Sequence, residues 1–289
     1  MKAVIDNLDL VMWTKNGAET LVPVFRQINK VLPHKIVKNK IIVDDDSVDE
    51  TRSIAEAFGW QVIANKGTGI SDGTNTALDQ VKSEFFASFE QDLVLAYDWW
   101  RKISKYFSDP HVAIASGVRL PSQPLALRKL QEYATLRYQQ RTENSEAYLY
   151  GKTLDNTLYR TSIIKEIGGF PELLFSAGVD NVLAQRIQQH GFKWTVDFSV
   201  KSLHLRKGLV DELKHYYWYG TCFPELYPML FQRPLGIKSL FLRLAFSPFR
   251  GLEVALKKKS PQIVFMYPLI RFAVLQGVFE GKRRIYYEN

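Results

Sequence analysis

Short apolar runs recur up to about residue 118: LDLVMW (8–13), KIIVD (40–44), WQVIA (60–64), FFASF (85–89) and HVAIAS (111–116). They do not alternate strictly with polar residues, so they suit parallel strands covered on both faces. Between them the spacing turns helical, in SVDETRSIAEAFG, SDGTNTALDQVKSE and DWWRKISKYF. In the first of these, Ser47 and Glu50 stand at capping-box spacing and Gly59 sits where the helix should stop. Alternating strands and helices predict an α/β fold with a doubly wound sheet and ligands at the carboxyl ends of its strands.

The pattern then changes. Residues 122–150 read as a polar helix followed by a loop, and 161–191 as two short helices split by GGFPELLFSAG. WTVDF (194–198) adds a strand. From 211 onward aromatics crowd together in HYYWYGTCF, and apolar segments alternate with Lys/Arg clusters. A boundary is expected within 205–235.

Composition, the N-terminal segment and charge add further constraints. With 46% hydrophobic and 24% charged residues, the chain of 289 residues has a soluble globular profile. Its single cysteine, Cys222, excludes an internal disulfide framework. MKAVIDNLDLVMW carries Asp6 and Asp9 and no small-residue cleavage site, so it reads as an early strand and not a signal peptide. The net charge of +8 is uneven, because residues 201–289 hold 15 Lys/Arg against 6 Asp/Glu. Nucleic acid or an anionic membrane answers such an excess. The tail has more aromatic and aliphatic residues than a phosphate-tracking arm needs, which disfavours nucleic acid.

Five motifs carry candidate chemistry, and each also has a plain structural reading. IIVDDDS ends a strand in Asp44, Asp45 and Asp46, able to accept from a base N–H and ribose hydroxyls, or to form a turn and helix cap. KGTGISDGTNTALDQ brings Gly67, Gly69 and Gly73 to a helix start, without a Walker lysine or a dinucleotide fingerprint. FEQD places Glu90 and Asp92 two apart at a strand end, suited to a hard divalent cation beside a diphosphate, or to water. In FSAGVDNVLAQRI, Asp180 opens a helix as a base or as a helix-end acid. In VKSLHLRKG, His204 follows a strand, with Arg206 and Lys207 as cations for a phosphate.

The order of these motifs resembles the family 2 glycosyltransferases with the GT-A fold, over roughly residues 8–207. VDDDS and GGF…D…R are the most specific parts. The resemblance implies a GT-A catalytic domain over 1–210, with a mostly parallel central sheet flanked by helices. Its nucleotide-sugar half is 1–118 and its acceptor half 119–210; residues 211–289 form a helical, partly amphipathic extension. It implies contacts to the nucleotide sugar from Thr14, Asn16, Asp44, Asp45, Asn75, Glu90 and Arg206. Asp92, Glu90 and His204 then hold Mg²⁺ or Mn²⁺, and Asp180 is the base. The chain departs from the family pattern at Trp13, Gly17, Asp46, Glu90 and Val179, where the family often has Pro, Glu, Gly, Asp and Glu.

What the resemblance implies is a cytoplasmic metal-dependent glycosyltransferase with a UDP- or GDP-linked donor, inverting the anomeric centre. A non-catalytic nucleotide-sugar-binding module and a sugar nucleotidyltransferase are the alternatives. In LGIKSLFLRLAFSPFRGLEVALKKK (235–259), Pro248 is expected to split two amphipathic helices. SPQIVFMYPLIRFAVLQGVFEGKRR (260–284) nearly spans a bilayer, but Arg271 sits in its middle, which favours a helix lying in the interface. Peripheral membrane contact through 235–289 makes a polyprenyl-phosphate or lipid-linked glycan the expected acceptor.

Overall fold

A computed structural model of the chain describes residues 5–140, 151–173 and 177–288, with side chains as far as 284. The start of the expected N-terminal strand (1–4), the expected loop at 141–150 and residues 174–176 of the GGF segment lie outside the described residues. The chain divides into two compact units. One comprises Met1–Leu120, Tyr138–Leu174 and Val179–Leu205; the other comprises Pro121–Arg137, Phe175–Gly178 and Arg206–Asn289.

The first unit carries an eight-stranded sheet. Its strands are β1 (Leu8–Thr14), β2 (Val37–Asp44), β3 (Gln61–Ala64), β4 (Phe85–Glu90), β5 (Leu93–Val94), β6 (Val112–Pro121), β7 (Asn156–Arg160) and β8 (Lys193–His204), in the order β3-β2-β1-β4-β7-β6-β8-β5. The helices α1 (Ala18–Val31), α2 (Thr51–Ala57), α3 (Gly69–Gln80) and α4 (Trp99–Ile103) occupy the connections among the first strands; α5 (Leu125–Gln139) lies mostly in the second unit, and α6 (Thr161–Glu166) and α7 (Val179–Gln189) follow in the first. β1, β2, β3 and β4 pair in parallel, as predicted, although β2 opens on the exposed Lys38 and Asn39 and the edge strand β3 is only partly buried. Beyond β4 the ladders turn antiparallel: β4 with β7, β7 with β6, and β5 with β8. The run at 111–116 is therefore buried like a parallel strand but pairs antiparallel, because burial on both faces sets the hydrophobic pattern and strand direction does not.

Every residue of β1 is buried, including Asp9. That carboxylate is satisfied by the amides of Lys82 and Ser83, the Ser83 hydroxyl and the Asn39 amide group, which a charge at this depth requires. Leu8, Leu10, Met12, Phe89, Trp99 and Leu158 build the core on one face of the sheet. On the other side, Phe86 and Tyr159 stack at 4.4 Å.

The helix after β2 begins at Thr51, not after a Ser47 cap. Ser47 is diverted: its Oγ accepts from the Asn16 amide, while Asp49 accepts from the Thr51 amide. Gly59 does end the helix. At φ +74 it lets the Gly59 and Trp60 amides return to the Glu56 and Ala55 carbonyls, a Schellman closure.

The second unit is helical, with α8 (Leu209–Phe231), α9 (Ile237–Ala245), α10 (Ser247–Lys258) and α11 (Ile263–Glu288). The chain breaks at Phe246, so Pro248 falls in the first turn of α10, where its missing N–H is no loss. Leu127, Leu130, Val254, Ile263, Met266 and Ile270 form its core. α8 and α11 cross with their backbones in contact. A Cβ on Gly277 would stand 2.0 Å from the Tyr217 carbonyl oxygen, and one on Gly281 2.1 Å from that of Thr221.

Candidate active site

Strand register assembles the acids. β1 lies between β2 and β4, pairing Thr14 with Asp44 and Trp13 with Glu90. The carboxyl ends of three parallel strands thus come out side by side. Parallel strands of matched register share one end, and loop residues there converge.

At the β2 end, Asp44 is 1% exposed. Its Oδ2 accepts from the Ser47 amide at 3.1 Å and from Arg52 Nε at 2.6 Å, while its Oδ1 is buried without a hydrogen-bond partner. A buried carboxylate oxygen left unmet is costly unless a ligand donor completes it. Asp45 accepts from Asn65 Nδ2 (2.8 Å), Lys15 Nζ (3.2 Å) and the Gly69 amide (3.2 Å). Partial burial works to raise its carboxyl, but these bonds outweigh burial and hold it below the ordinary value. Asp46 points into solvent with φ +56, a left-handed geometry in the place where the family pattern has Gly.

The loop after β1 is clasped to the loop after β2. Asn16, at φ +50, donates its amide to Ser47 Oγ and accepts from the Val48 amide through Oδ1 (2.9 Å). The Thr14 hydroxyl bonds Gln91 Oε1, and Gln91 also accepts from the Lys15 amide and donates to its carbonyl. The middle residue of Glu-Gln-Asp therefore ties the acid pair to the β1 loop.

Glu90, Asp92 and His204 converge, each offering a ligand atom within 4.8 Å of the others. His204 arrives through the β5–β8 ladder, where it pairs with Leu93. Its Nε2 lies 3.0 Å from Asp92 Oδ2 and 3.7 Å from Glu90 Oε2. Two carboxylates and one imidazole fit a hard divalent cation such as Mg²⁺ or Mn²⁺.

Arg119, not singled out from the sequence, and Asp155, the alternative base the sequence offers, stand beside this cluster. Arg119, near the end of β6, donates to Asp155 Oδ2 at 2.6 Å and lies 3.6 Å from Glu90 Oε2. Asp155 is fully buried, and its Oδ1 also accepts from Thr153 Oγ1 (2.6 Å) and Asn156 Nδ2 (2.9 Å). Asp180, half-buried in the first turn of α7, has its carboxyl pushed up to about 6 by burial, against the pull of Arg119. The Asp155 charge adds to the upward push.

Two expected nucleotide-sugar residues have other partners. Asn75 is spent on the GGF segment: its Oδ1 accepts from the Phe170 amide (3.0 Å) and its Nδ2 donates to the Phe170 carbonyl (3.1 Å). It borders a separate cleft of about 650 Å³ lined by Lys66, Asp72, Asp79, Lys165 and Glu172, with none of Glu90, Asp92, Asp180 or His204. Arg206 belongs to the second unit, where its Nη2 lies 3.2 Å from His215 Nδ1 and its Nε 3.9 Å from Glu212.

A mixed α/β sheet with acids at these strand ends has known counterparts. The mannosyltransferase PcManGT from Pyrobaculum calidifontis, solved with GDP-Man and Mn²⁺, superposes with a TM-score of 0.64 at 15% identity, over 98% of this chain and 90% of that one. S. aureus TarS 1-349 in complex with UDP-GlcNAc gives a TM-score of 0.56 at 14% identity, over 98% and 92%. The fold is accordingly that of the GT-A glycosyltransferases. Residues 9–168 match glycosyl transferase family 2, and the chain belongs to that family. The O-antigen chain rhamnosyltransferase WbaN of Salmonella anatum is 29% identical over 177 residues, 57% of this chain. The matched region spans 56% of that relative's length.

Proposed function

We propose that the chain is a glycosyltransferase that moves a sugar from a UDP- or GDP-linked donor to an acceptor hydroxyl, with inversion at the anomeric carbon. The observation that carries this reading is the convergence of Glu90, Asp92 and His204 at the strand ends that also present Asp44 and Asp45. Asp44 Oδ1, buried and unmet, receives a base N–H, and Asp45 sits beside it for the ribose. Thr14 and Asn16 shape the nucleotide loop. Glu90, Asp92 and His204 hold Mg²⁺ or Mn²⁺, which when bound neutralises charge on the departing nucleoside diphosphate.

Asp180 takes the proton from the acceptor hydroxyl as that oxygen attacks the anomeric carbon. A carboxyl near 6 is ionised at neutral pH yet more basic than an ordinary aspartate. Arg119, anchored on Asp155, is the fixed cation among Glu90, Asp155 and Asp180. The donors named for PcManGT and TarS support a UDP- or GDP-sugar, and the O-antigen relative supports a glycan acceptor. The basic, apolar segment 235–289 supports a lipid-linked acceptor, met at the cytoplasmic face of a membrane with which the chain makes peripheral contact.

The test is release of nucleoside diphosphate from a panel of UDP- and GDP-sugars with Mn²⁺ or Mg²⁺, read beside donor-induced thermal shifts. Metal-dependent release supports the reading. Binding without release, with or without a polyprenyl-phosphate acceptor, makes the chain a nucleotide-sugar-binding module instead.

A further inference from the structure

α10 has two apolar faces. Ser247, Gly251, Val254 and Ala255 face the core of the helical unit. Phe249, Leu252 and Leu256, at helical spacing on another side, are 72%, 48% and 71% exposed. The exposed side continues backward through Phe246 (64%) to Leu242 (59%) on α9. Leu242, Phe246, Phe249, Leu252 and Leu256 are three or four residues apart, so they form one stripe across both helices. α9 itself has no buried residue, although Ile237, Leu240, Phe241, Leu242, Leu244 and Ala245 make it mostly apolar. A nine-residue helix gains little from propensity alone and is held by packing of its apolar side. Both observations call for something that covers this surface.

We propose that the α9–α10 stripe is the element that enters an anionic lipid surface, and that α11 does not cross the membrane. The charge around the stripe favours lipid over a protein partner: residues 231–260 contain seven Lys/Arg and one acid, Glu253. Arg243 and Lys238 on α9 are exposed beside the stripe. Phe and Leu side chains with flanking cations suit the boundary between head groups and acyl chains. α11 is long and apolar enough to span, but 44% of its most apolar stretch is buried inside the unit. Gly277 and Gly281 lie against the α8 backbone, and Arg271 bonds Tyr267 at mid-helix. A helix so engaged keeps exposed apolar side chains only on part of its circumference, among them Phe265, Phe272 and Phe279, and so cannot be ringed by lipid without leaving α8.

This inference rests on the membrane-contact part of the proposed function and says which helices make the contact. The full chain is floated with vesicles of equal parts phosphatidylcholine and phosphatidylglycerol, and with phosphatidylcholine alone. Wild type is expected to float with the anionic vesicles only. Phe246→Ser/Phe249→Ser should lower the bound fraction at least about tenfold, the scale of losing one or two buried apolar side chains. Leu242→Ser/Leu256→Ser, at the ends of the stripe, should do the same, while Phe272→Ser on α11 should have little effect. Equal flotation of wild type and both stripe variants overturns the proposal, as does loss of binding in Phe272→Ser alone. A wild-type dimer that Phe246→Ser/Phe249→Ser turns into monomer overturns it too, and assigns the stripe to a second copy. Asp180→Asn should float like wild type, which separates failure of this inference from failure of the catalytic reading.

Discussion

His204 stands 3.0 Å from Asp92 because the backbone fixes both: the Leu205 amide donates to the Asp92 carbonyl at 2.7 Å, beside the Leu93–His204 pair. A histidine and an aspartate far apart in sequence are thereby set by a two-rung antiparallel ladder. The imidazole needs no loop ordering to reach the acid pair.

Asp92→Ala is expected to remove Mn²⁺ binding and lower transfer by at least the 10–100-fold that even outer-shell partners of a metal cost. Electron paramagnetic resonance of added Mn²⁺ reads the binding directly. His204→Ala should weaken Mn²⁺ without abolishing it. Full Mn²⁺ affinity in Asp92→Ala would move the cation elsewhere.

Asp180→Asn should lose at least about 10²-fold in rate while keeping donor binding. In wild type, kcat/KM should rise with pH through about 6, as the carboxyl ionises, and level off above. The linkage to stability has the opposite sense. The folded state holds this proton more tightly than the unfolded chain, so stability falls as pH rises from about 4 through about 6. The Asn variant should therefore melt higher than wild type at pH 7, by about 2–4 °C for each kcal/mol regained. That gap should close near pH 4.

Asp44→Ala should raise the KM for donor by roughly 5–150-fold, the worth of about 1–3 kcal/mol for a buried hydrogen-bonding group. It also removes the Arg52 pair, so Arg52→Gln serves as the control. A donor KM that rises equally in both variants would assign the loss to loop geometry and not to the Oδ1 atom.

Asn75→Ala is expected to destabilise the fold by about 1–3 kcal/mol in urea, through loss of its two bonds to Phe170. Donor KM should stay near wild type. A large KM change without a change in urea midpoint would restore a direct role at the nucleotide.

The sequence shows the parallel half of the sheet well, because β1, the second half of β2 and β4 are mostly apolar runs that end in Thr14, Asp44 and Glu90. Acid-x-acid is visible for the same reason: both residues belong to one strand end. The pairing of Arg119 with Asp155 is invisible in linear order. The two meet only through the antiparallel β6–β7 register, and each looks alone like an ordinary strand-edge residue. Ser47 misleads in the other direction. It is a polar residue shortly before a helix, where a cap, a ligand contact and a tie to a second loop look alike in sequence. The crossover of α8 and α11 shows only as scattered glycines, and the prolines within α8 hide its length of 23 residues.

The glycine crossing of α8 and α11 has a consequence for where the helical unit is able to work. Hydrophobic burial holds helices together only as long as water is the alternative. At Gly277 and Gly281 the grip comes from backbone meeting backbone, a van der Waals fit that does not depend on expelling solvent. Such a joint keeps its strength when one flank of the unit exchanges water for acyl chains. The crossing is thus indifferent to its medium, and would keep the unit's shape in water and against lipid alike.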